Sequence, residues 1–100
     1  MKIHINLISH ACFTIKDGQK NLIVDPWFTG DCFNKGWRLN NEPNKDYLNL
    51  KEIDYVHITH EHPDHFHIKS LLELNQEWNP IFIIQKTKDR RVANFIIKKL

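Results

Sequence analysis

The chain has 100 residues, enough for one domain at most, and 41% of them are hydrophobic. Charged residues make up 26%, and their near balance leaves a net charge of +2. This composition excludes a largely disordered chain. Lysine and arginine form no stripe with interleaved aromatic residues, so the sequence gives no sign of a nucleic-acid partner.

The sequence carries no signal for secretion or membrane insertion. Cys12 and Cys32 are too few for a disulfide framework and are typical of two reduced thiols. The N-terminal segment alternates polar and apolar residues and lacks the apolar run of a signal peptide. No run approaches the ~20 apolar residues of a membrane helix. We therefore expect a cytoplasmic protein without a transmembrane segment.

The first quarter of the chain has the pattern of an antiparallel meander. Alternating or apolar runs predict three strands, near residues 2–8, 11–16 and 20–24. In the first strand, Ile3, Ile5 and Leu7 share one face, which predicts that the strand is half-buried. Asp17-Gly18 between the next two strands is typical of a hairpin turn.

Residues 26–46 predict a long loop. They contain two prolines, two tryptophans, four asparagines and two glycines, which excludes a regular helix or a central strand. A loop of this length in a compact domain is usually functional. Its aromatic residues could line a pocket or could pin the loop to the core, and the sequence leaves both interpretations open.

The second half of the chain reads as strand, helix, strand, helix. The predicted elements are strand 54–59, helix 67–78, strand 81–85 and helix 88–100. A right-handed crossover between parallel strands is the expected connection for such a unit. The nearly all-apolar run at 81–85 predicts a strand that is covered on both faces.

The junction between strand 54–59 and the following helix is rich in side chains that can bind a metal ion. Residues 58–67, ITHEHPDHFH, hold four of the seven histidines of the chain. In an extended segment His60 and His62 point the same way, so they can bind one ion together. Pro63 separates this extended part from the helix, which directs Asp64 and His65 elsewhere, toward a second ion.

Imidazole and carboxylate ligands in this spacing indicate metal-dependent chemistry. Two divalent ions a few ångströms apart would bind substrate oxygens and lower the pKa of a bound water. Glu61 lies between the ligands and is either a solvated side chain or a residue that supports a ligand by a hydrogen bond. We expect structural or surface roles for the remaining strand and helix histidines, His4, His57 and His67.

The segment THEHPDH at 59–65 resembles the H-x-H-x-D-H signature of the metallo-β-lactamase fold superfamily. Three upstream stretches extend the resemblance to one branch of it: SHACFTI at 9–15, LIVDPWFTG at 22–30 and GWRL at 36–39. That branch includes the ascorbate-phosphate lactonase-like proteins, N-acyl-phosphatidylethanolamine phospholipase D and part of CMP-N-acetylneuraminate hydroxylase. The run at 25–43 is most similar to the last of these.

The resemblance implies an α/β fold, the N-terminal half of a four-layer αβ/βα sandwich, with residues 1–100 forming a single partial domain. It implies two divalent ions, with zinc the default and manganese or iron open. The implied metal ligands are His60, His62, Asp64 and His65. Asp25 matches a buried acid that orients the ligands, and with Asp64 it is the implied catalytic pair. His10 matches a position near the site, although Ser9 stands where the family has glycine.

The resemblance also implies that this sequence lacks part of the site. The later family ligands come from the second half of the sandwich, and no histidine follows His67 here. We therefore expect the remainder of the domain, or an oligomeric partner, to complete the site. Without it, one face of the sheet would be exposed, and metal binding and turnover would be weak.

Three functions follow from these patterns. The leading hypothesis is a metal-dependent hydrolase in which a metal-activated water attacks an ester, lactone or phosphodiester of a small-molecule substrate. The first alternative is a nucleotide-sugar oxygenase component similar to CMP-N-acetylneuraminate hydroxylase, although Cys12 and Cys32 do not form the Cys and His pairs of a Rieske cluster. The second alternative is an inactive metal-binding fragment or interaction module.

Overall fold

A computed structural model describes residues 2–45, 48–86 and 88–100 of the chain. The described residues form a mixed five-stranded sheet and two α-helices. In chain order the elements are β1 (His4–Ser9), β2 (Cys12–Lys16), β3 (Asn21–Val24), β4 (Tyr55–Ile58), α1 (Ile68–Glu77), β5 (Ile81–Ile84) and α2 (Arg91–Lys99). The predicted order of elements is confirmed, and each predicted bound lies within three residues of the observed one.

The strands lie in the sheet in chain order, β1-β2-β3-β4-β5. The first three pair antiparallel, as the meander prediction requires, and β3, β4 and β5 pair parallel. In the turn between β2 and β3, the Asp17 carboxylate accepts the amide hydrogens of Gln19 and Lys20 at 2.9 and 2.8 Å. Gly18 there has a φ of +100°, a backbone conformation that glycine adopts most readily.

The parallel pairing of β3 and β4 places their carboxyl ends side by side. The Asp25 amide, directly after β3, donates to the carbonyl of His57 in β4 at 2.9 Å. The long connection between the two strands contains a short 3-10 helix, Leu50–Glu52, and Asp46 in it lies outside the described residues. Carboxyl ends of neighbouring parallel strands are where ligands bind in α/β sheets.

One face of the sheet packs against the helices. Ile23 and Val56, from adjacent strands, are fully buried there beneath Leu71 and Leu74 of α1. Val92 and Ile96 of α2 pack against the edge of the same core. Neither helix of the described chain is long and apolar enough to cross a bilayer.

The opposite face of the sheet is apolar and largely open. Cross-strand pairs on this face include Ile5 with Ile15 and Leu7 with Phe13. Ile5 and Leu7 are 67% and 65% exposed, and Ile81 at the other edge is 63% exposed. The predicted burial of this side of the first strand is therefore wrong for the described chain, as is two-sided burial of β5. Both helices that the structure describes lie on the other face.

We expect the two faces to respond differently to truncation. Ile23→Ala should lower the free energy of unfolding by about 2–5 kcal/mol, because it leaves a cavity in the core. Ile5→Ala should cost less than about 1 kcal/mol, because its side chain is mostly in contact with water already. Urea unfolding followed by circular dichroism measures both. Equal losses would mean that another surface covers Ile5 in solution.

Both thiols are free and buried. Cys12 is fully buried and Cys32 is 5% exposed. Burial raises the pKa of the Cys12 thiol to about 12, and the nearby charge of Asp25 acts in the same direction. Burial, with the charges of Asp64 and Asp31, also raises the pKa of Cys32. The thiolate is the reactive form, so neither cysteine is a nucleophile at neutral pH.

The thiols should therefore react with Ellman's reagent only after unfolding. At pH 8 a thiol with a pKa of about 12 has a thiolate fraction on the order of a thousandfold below that of a free thiol with a pKa of ~8.5. The Cys32→Ser variant isolates the signal of Cys12. Rapid labelling of Cys12 in the folded variant, at the rate seen in guanidinium, would contradict the burial described here.

Candidate metal centre

The candidate centre lies at the carboxyl ends of β3 and β4. Asp25 follows β3, and residues 59–67 connect β4 to α1. The backbone between His62 and His65 forms a tight turn, in which the His62 carbonyl accepts the amide hydrogen of His65 at 2.8 Å. Pro63 occupies the second position of this turn, where its fixed φ is favourable. The turn brings the His65 ring back over His60, with ring centroids 4.0 Å apart.

The Asp25 carboxylate is the hub of the hydrogen bonds. It is 3% exposed, and its backbone has a φ of +45°, which is unusual for a residue with a side chain. The Thr59 amide donates to Oδ1 at 2.7 Å, and the Thr59 hydroxyl donates to Oδ2 at 2.7 Å. His65 Nδ1 lies 2.7 Å from the same Oδ2. Because both oxygens are already engaged, Asp25 is better placed to orient its neighbours than to bind an ion.

These bonds place a hydrogen on Nδ1 of two imidazoles. An ionised carboxylate only accepts, so the hydrogen between Asp25 and His65 belongs to His65 Nδ1. The single hydroxyl hydrogen of Thr59 goes to Asp25, so His60 Nδ1, 2.8 Å from Thr59 Oγ1, must donate to that oxygen. In its neutral form each ring then has an unprotonated Nε2. That nitrogen is the atom an imidazole offers to a metal when its other nitrogen is held in this way.

Asp64 approaches His65 from the other side. Its Oδ2 lies 3.0 Å from His10 Nε2 and 3.4 Å from His65 Nε2. Burial alone would raise the pKa of Asp64, but the hydrogen bond from His10 and the charge of His65 outweigh it, so the pKa lies below its ordinary value. The carboxylate is thus ionised at neutral pH, as a metal ligand must be.

The donor set fits a divalent ion. Two groups of three side chains each bring their ligand atoms within 4.8 Å of one another: His10, Asp64 and His65, and Asp25, His60 and His65. Two ligands of one tetrahedral zinc ion, each about 2.1 Å from it, lie roughly 3.4 Å apart. The spacing of 3.4 Å between Asp64 Oδ2 and His65 Nε2 agrees with this value. When His65 carries a proton on Nε2 this contact is an ion pair, and a cation bound between the two atoms would take the place of that proton.

Two other residues that the sequence predicts near the site, His62 and Glu61, lie outside the hydrogen-bonded cluster. The His62 ring is exposed and packs edge-on against His60, with centroids 4.7 Å apart, but His62 belongs to neither three-residue group. Glu61 is exposed and points away from the centre, since both of its oxygens lie within 3.0 Å of Arg91 Nη2. The roles of these residues as ligands or supports stay predictions.

His67 has a structural position. Its Nδ1 accepts from the Ser70 amide at the start of α1, and its Nε2 donates to the Asp31 carbonyl at 2.8 Å. Burial lowers the pKa of His67, which favours the neutral form that these bonds require. His67 therefore ties the loop after β3 to α1.

Sequence reasoning missed Thr59. This residue was recognised only as the end of a strand, although it connects Asp25 to His60. The available signal was its type and position, because a hydroxyl residue at a strand end directly before a ligand histidine can bond the ring nitrogen of that histidine. His10 was expected near the site, and the structure places it against Asp64, a residue 54 positions away in the chain.

Comparison with known proteins identifies the family of the chain. Residues 4–100 match the family described as the β-lactamase superfamily domain. The chain is 40% identical over 98 residues to cytidine monophosphate-N-acetylneuraminic acid hydroxylase of Danio rerio, covering 97% of this chain and 17% of that protein. It is 38% identical over 76 residues to the same enzyme of Cricetulus griseus, covering 75% of this chain and 14% of that protein. The chain thus spans less than a fifth of the length of these relatives.

Two solved structures share the fold. CmlA, a diiron β-hydroxylase from Streptomyces venezuelae, aligns with a TM-score of 0.62 and 23% identity over 87% of this chain and 16% of its own. Igni18, a metallo hydrolase from Ignicoccus hospitalis, aligns with a TM-score of 0.59 and 17% identity over 98% of this chain and 37% of its own. The resemblance seen in the histidine motif is confirmed, and the chain belongs to the β-lactamase superfamily, with the α/β architecture of the N-terminal half of that fold.

Proposed function

We propose that the loop after β4 forms the first part of a divalent-metal centre in an enzyme that acts on a small molecule. The ligands would be His60, His62, Asp64 and His65, with Asp25, Thr59 and His10 positioning them. The observation that carries this proposal is the pair of ligand atoms, Asp64 Oδ2 and His65 Nε2, that lie 3.4 Å apart. A cation is the natural occupant beside such a pair.

The chain's own residues would prepare the ligands rather than react. Asp25 and Thr59 engage Nδ1 of two imidazoles, so Nε2 is the nitrogen that each ring would offer to an ion. Asp64 is ionised and supplies negative charge. When bound, a divalent ion would supply Lewis acidity to a substrate oxygen and to a bound water, and iron would add redox capacity.

The relatives favour hydroxylation as the reaction of the whole enzyme. The hydroxylases of Danio rerio and Cricetulus griseus are 40% and 38% identical to this chain. Metal-dependent hydrolysis is the second candidate, supported by a donor set that also suits zinc or manganese. An inactive metal-binding module would keep the ligands but would not turn over a substrate.

We further propose that residues beyond this half-site complete the centre. Two observations support this: the three-residue groups share His65, so the described chain offers few ligands per ion, and the open apolar face of the sheet calls for a covering layer. The remainder of a longer domain or a partner would supply both.

Metal titration tests the ligand set. We expect the 100-residue chain to bind zinc or manganese with a Kd no tighter than about 1 μM, because the first coordination sphere is incomplete. His65→Ala should weaken binding at least tenfold, since His65 belongs to both groups. The exposed strand residue His4 provides the matched control, and His4→Ala should bind like the parent chain.

Isothermal titration calorimetry gives the affinity and the number of ions. Tight binding of two ions by the chain alone would contradict the need for further ligands. Unchanged binding in His65→Ala would contradict the ligand assignment.

Removal of the Thr59 hydroxyl tests whether Thr59 orients the His60 ring and keeps a hydrogen on its Nδ1. Thr59→Val keeps the shape of the side chain but leaves His60 Nδ1 without its acceptor. We expect a 10–100-fold loss of metal affinity, the range typical of residues that orient a ligand. Thr59→Ser keeps the hydroxyl and should restore most of the affinity.

Nitrogen-15 chemical shifts of His60 separate this role from a general loss of stability. In the parent chain they should report the Nδ1–H tautomer, and in Thr59→Val a mixture of both tautomers. If the Thr59→Val protein kept the nitrogen-15 shifts and the metal affinity of the parent chain, this role of Thr59 would be ruled out.

Activity assays distinguish the candidate functions. The full natural gene product should be loaded with iron, zinc or manganese and assayed for hydroxylation of cytidine monophosphate-N-acetylneuraminic acid with oxygen and a reductant, and for hydrolysis of a phosphodiester and a lactone. We expect one of these activities, and we expect it to fall at least a hundredfold in His60→Ala. His4→Ala should retain it. Metal binding without any turnover would favour the inactive module.

A further inference from the structure

A cavity of about 600 Å³ lies against His10, on the side of the candidate centre formed by the loop after β3. This volume is within the usual range for small-molecule sites. His10 forms part of the cavity wall and at the same time donates to Asp64 at 3.0 Å. A molecule in the cavity would therefore lie next to the candidate metal ligands.

A second lining residue, Trp37, presents an exposed indole. Trp37 is 52% exposed, and its ring centroid lies 6.4 Å from that of His10. Trp27 lies deeper, is 1% exposed, and donates its indole hydrogen to the Gly30 carbonyl at 2.9 Å. Trp27 thus belongs to the core, whereas Trp37 leaves much of its aromatic surface open to a ligand.

The loop holds Trp37 in place with a tight backbone turn. Cys32 and Trp37 exchange two backbone hydrogen bonds of 3.0 and 3.1 Å, and the Phe33 ring packs edge-on against Trp37 at 4.8 Å. Three consecutive residues, Phe33 to Lys35, have positive φ, which is costly for residues with side chains. A Cβ at Gly36 would lie 2.9 Å from the Phe33 carbonyl oxygen, so only glycine fits there. The backbone of this turn is strained, and it presents an apolar ring to solvent. Backbone strain of this kind is found more often at binding sites than elsewhere.

Several polar residues also line the cavity, and one of them carries a fixed positive charge. Arg38 follows Trp37 on the wall and makes no ion pair within the residues that the structure describes. A guanidinium without a carboxylate partner is suited to bind a carboxylate or phosphate in two-point geometry. The side chains of Asn40, Asn41 and Asn44 add amide donors and acceptors, and Glu42 adds an acceptor for hydroxyl groups.

We propose that this cavity is the substrate-recognition pocket of the metal centre and that it takes an anionic, ring-containing small molecule. Arg38 binds the carboxylate or phosphate of the ligand, Trp37 packs against its ring, and the asparagine amides bind its hydroxyl or amide groups. The inference rests on the proposed function and deepens it, because it assigns the residues that would bind the substrate of that centre. Binding at the pocket nevertheless requires no metal, so the two proposals can fail separately.

The experiment follows the three indole N–H signals of the metal-free chain by NMR during ligand titration. Adenosine 5′-monophosphate tests a phosphate on a planar base, and glucuronate tests a carboxylate on a sugar ring. Adenosine and glucose are the neutral counterparts. We expect one of the acids to shift the Trp37 signal with a Kd on the order of 1 mM, as suits one ion pair and one ring contact. Trp78, which does not line the cavity, should not respond.

Variants assign the contacts. Trp37→Ala and Arg38→Ala should each weaken acid binding at least fivefold, measured by ligand-observed saturation transfer. Trp78, 42% exposed at the end of α1, gives the matched aromatic control, and Arg90, exposed at the start of α2, gives the matched cationic control. Trp78→Ala and Arg90→Ala should bind like the parent chain.

The titrations distinguish a specific anion-binding pocket from non-specific binding. A Trp37 shift with the acids and not with the neutral compounds supports the pocket, and the stronger acid identifies the source of the charge. The proposal is overturned if neither acid shifts Trp37 at about 10 mM, tenfold above the expected Kd, or if adenosine and glucose bind equally well. Loss of binding in Arg90→Ala rather than Arg38→Ala would overturn it too. Zinc titration of the same sample reports on the metal centre independently.

Discussion

The candidate site depends on one buried carboxylate. Asp25 accepts three hydrogen bonds, two from Thr59 and one from His65, and those bonds fix both the path of the chain after β4 and the tautomers of two imidazoles. A carboxylate that is 3% exposed is costly to bury unless its lone pairs are satisfied. Here they are satisfied by the same groups that metal binding would require in a fixed orientation, so the stability of the loop and the orientation of the candidate ligands have one cause.

Much of the scaffold could be predicted from the sequence. The alternation in the first strands, the turn at Asp17-Gly18 and the helical spacing of residues such as Leu71 are local signals, and they gave the right elements in the right order. The histidine loop was placed correctly at the end of a strand because its spacing is also local. The exposure of Ile5 and Ile81 could not be read in this way, since alternation identifies two faces of a strand but not which of them has a covering layer.

The finer chemistry of the site was out of reach for a different reason. The contacts of His10 with Asp64 and of Thr59 with Asp25 join residues 54 and 34 positions apart. No periodicity in the sequence encodes such pairs, because they arise from the parallel pairing of β3 with β4 and from the return of the loop after β4. The pocket beside Trp37 has the same origin: the aromatic residues of the loop were visible, but the division between buried Trp27 and open Trp37 exists only in three dimensions.

The parallel pairing of β3 and β4 would also link metal binding to the folding of the chain. Asp25 and Thr59 meet only when these two strands are aligned, and parallel strands with a long connection are slow to pair. An ion that binds the assembled centre and not the unfolded chain would stabilise the native state in proportion to the logarithm of its concentration. Such an ion would stabilise the pairing of β3 with β4 in addition to any role with a substrate. The concentration of metal would then influence the fraction of the protein that is folded.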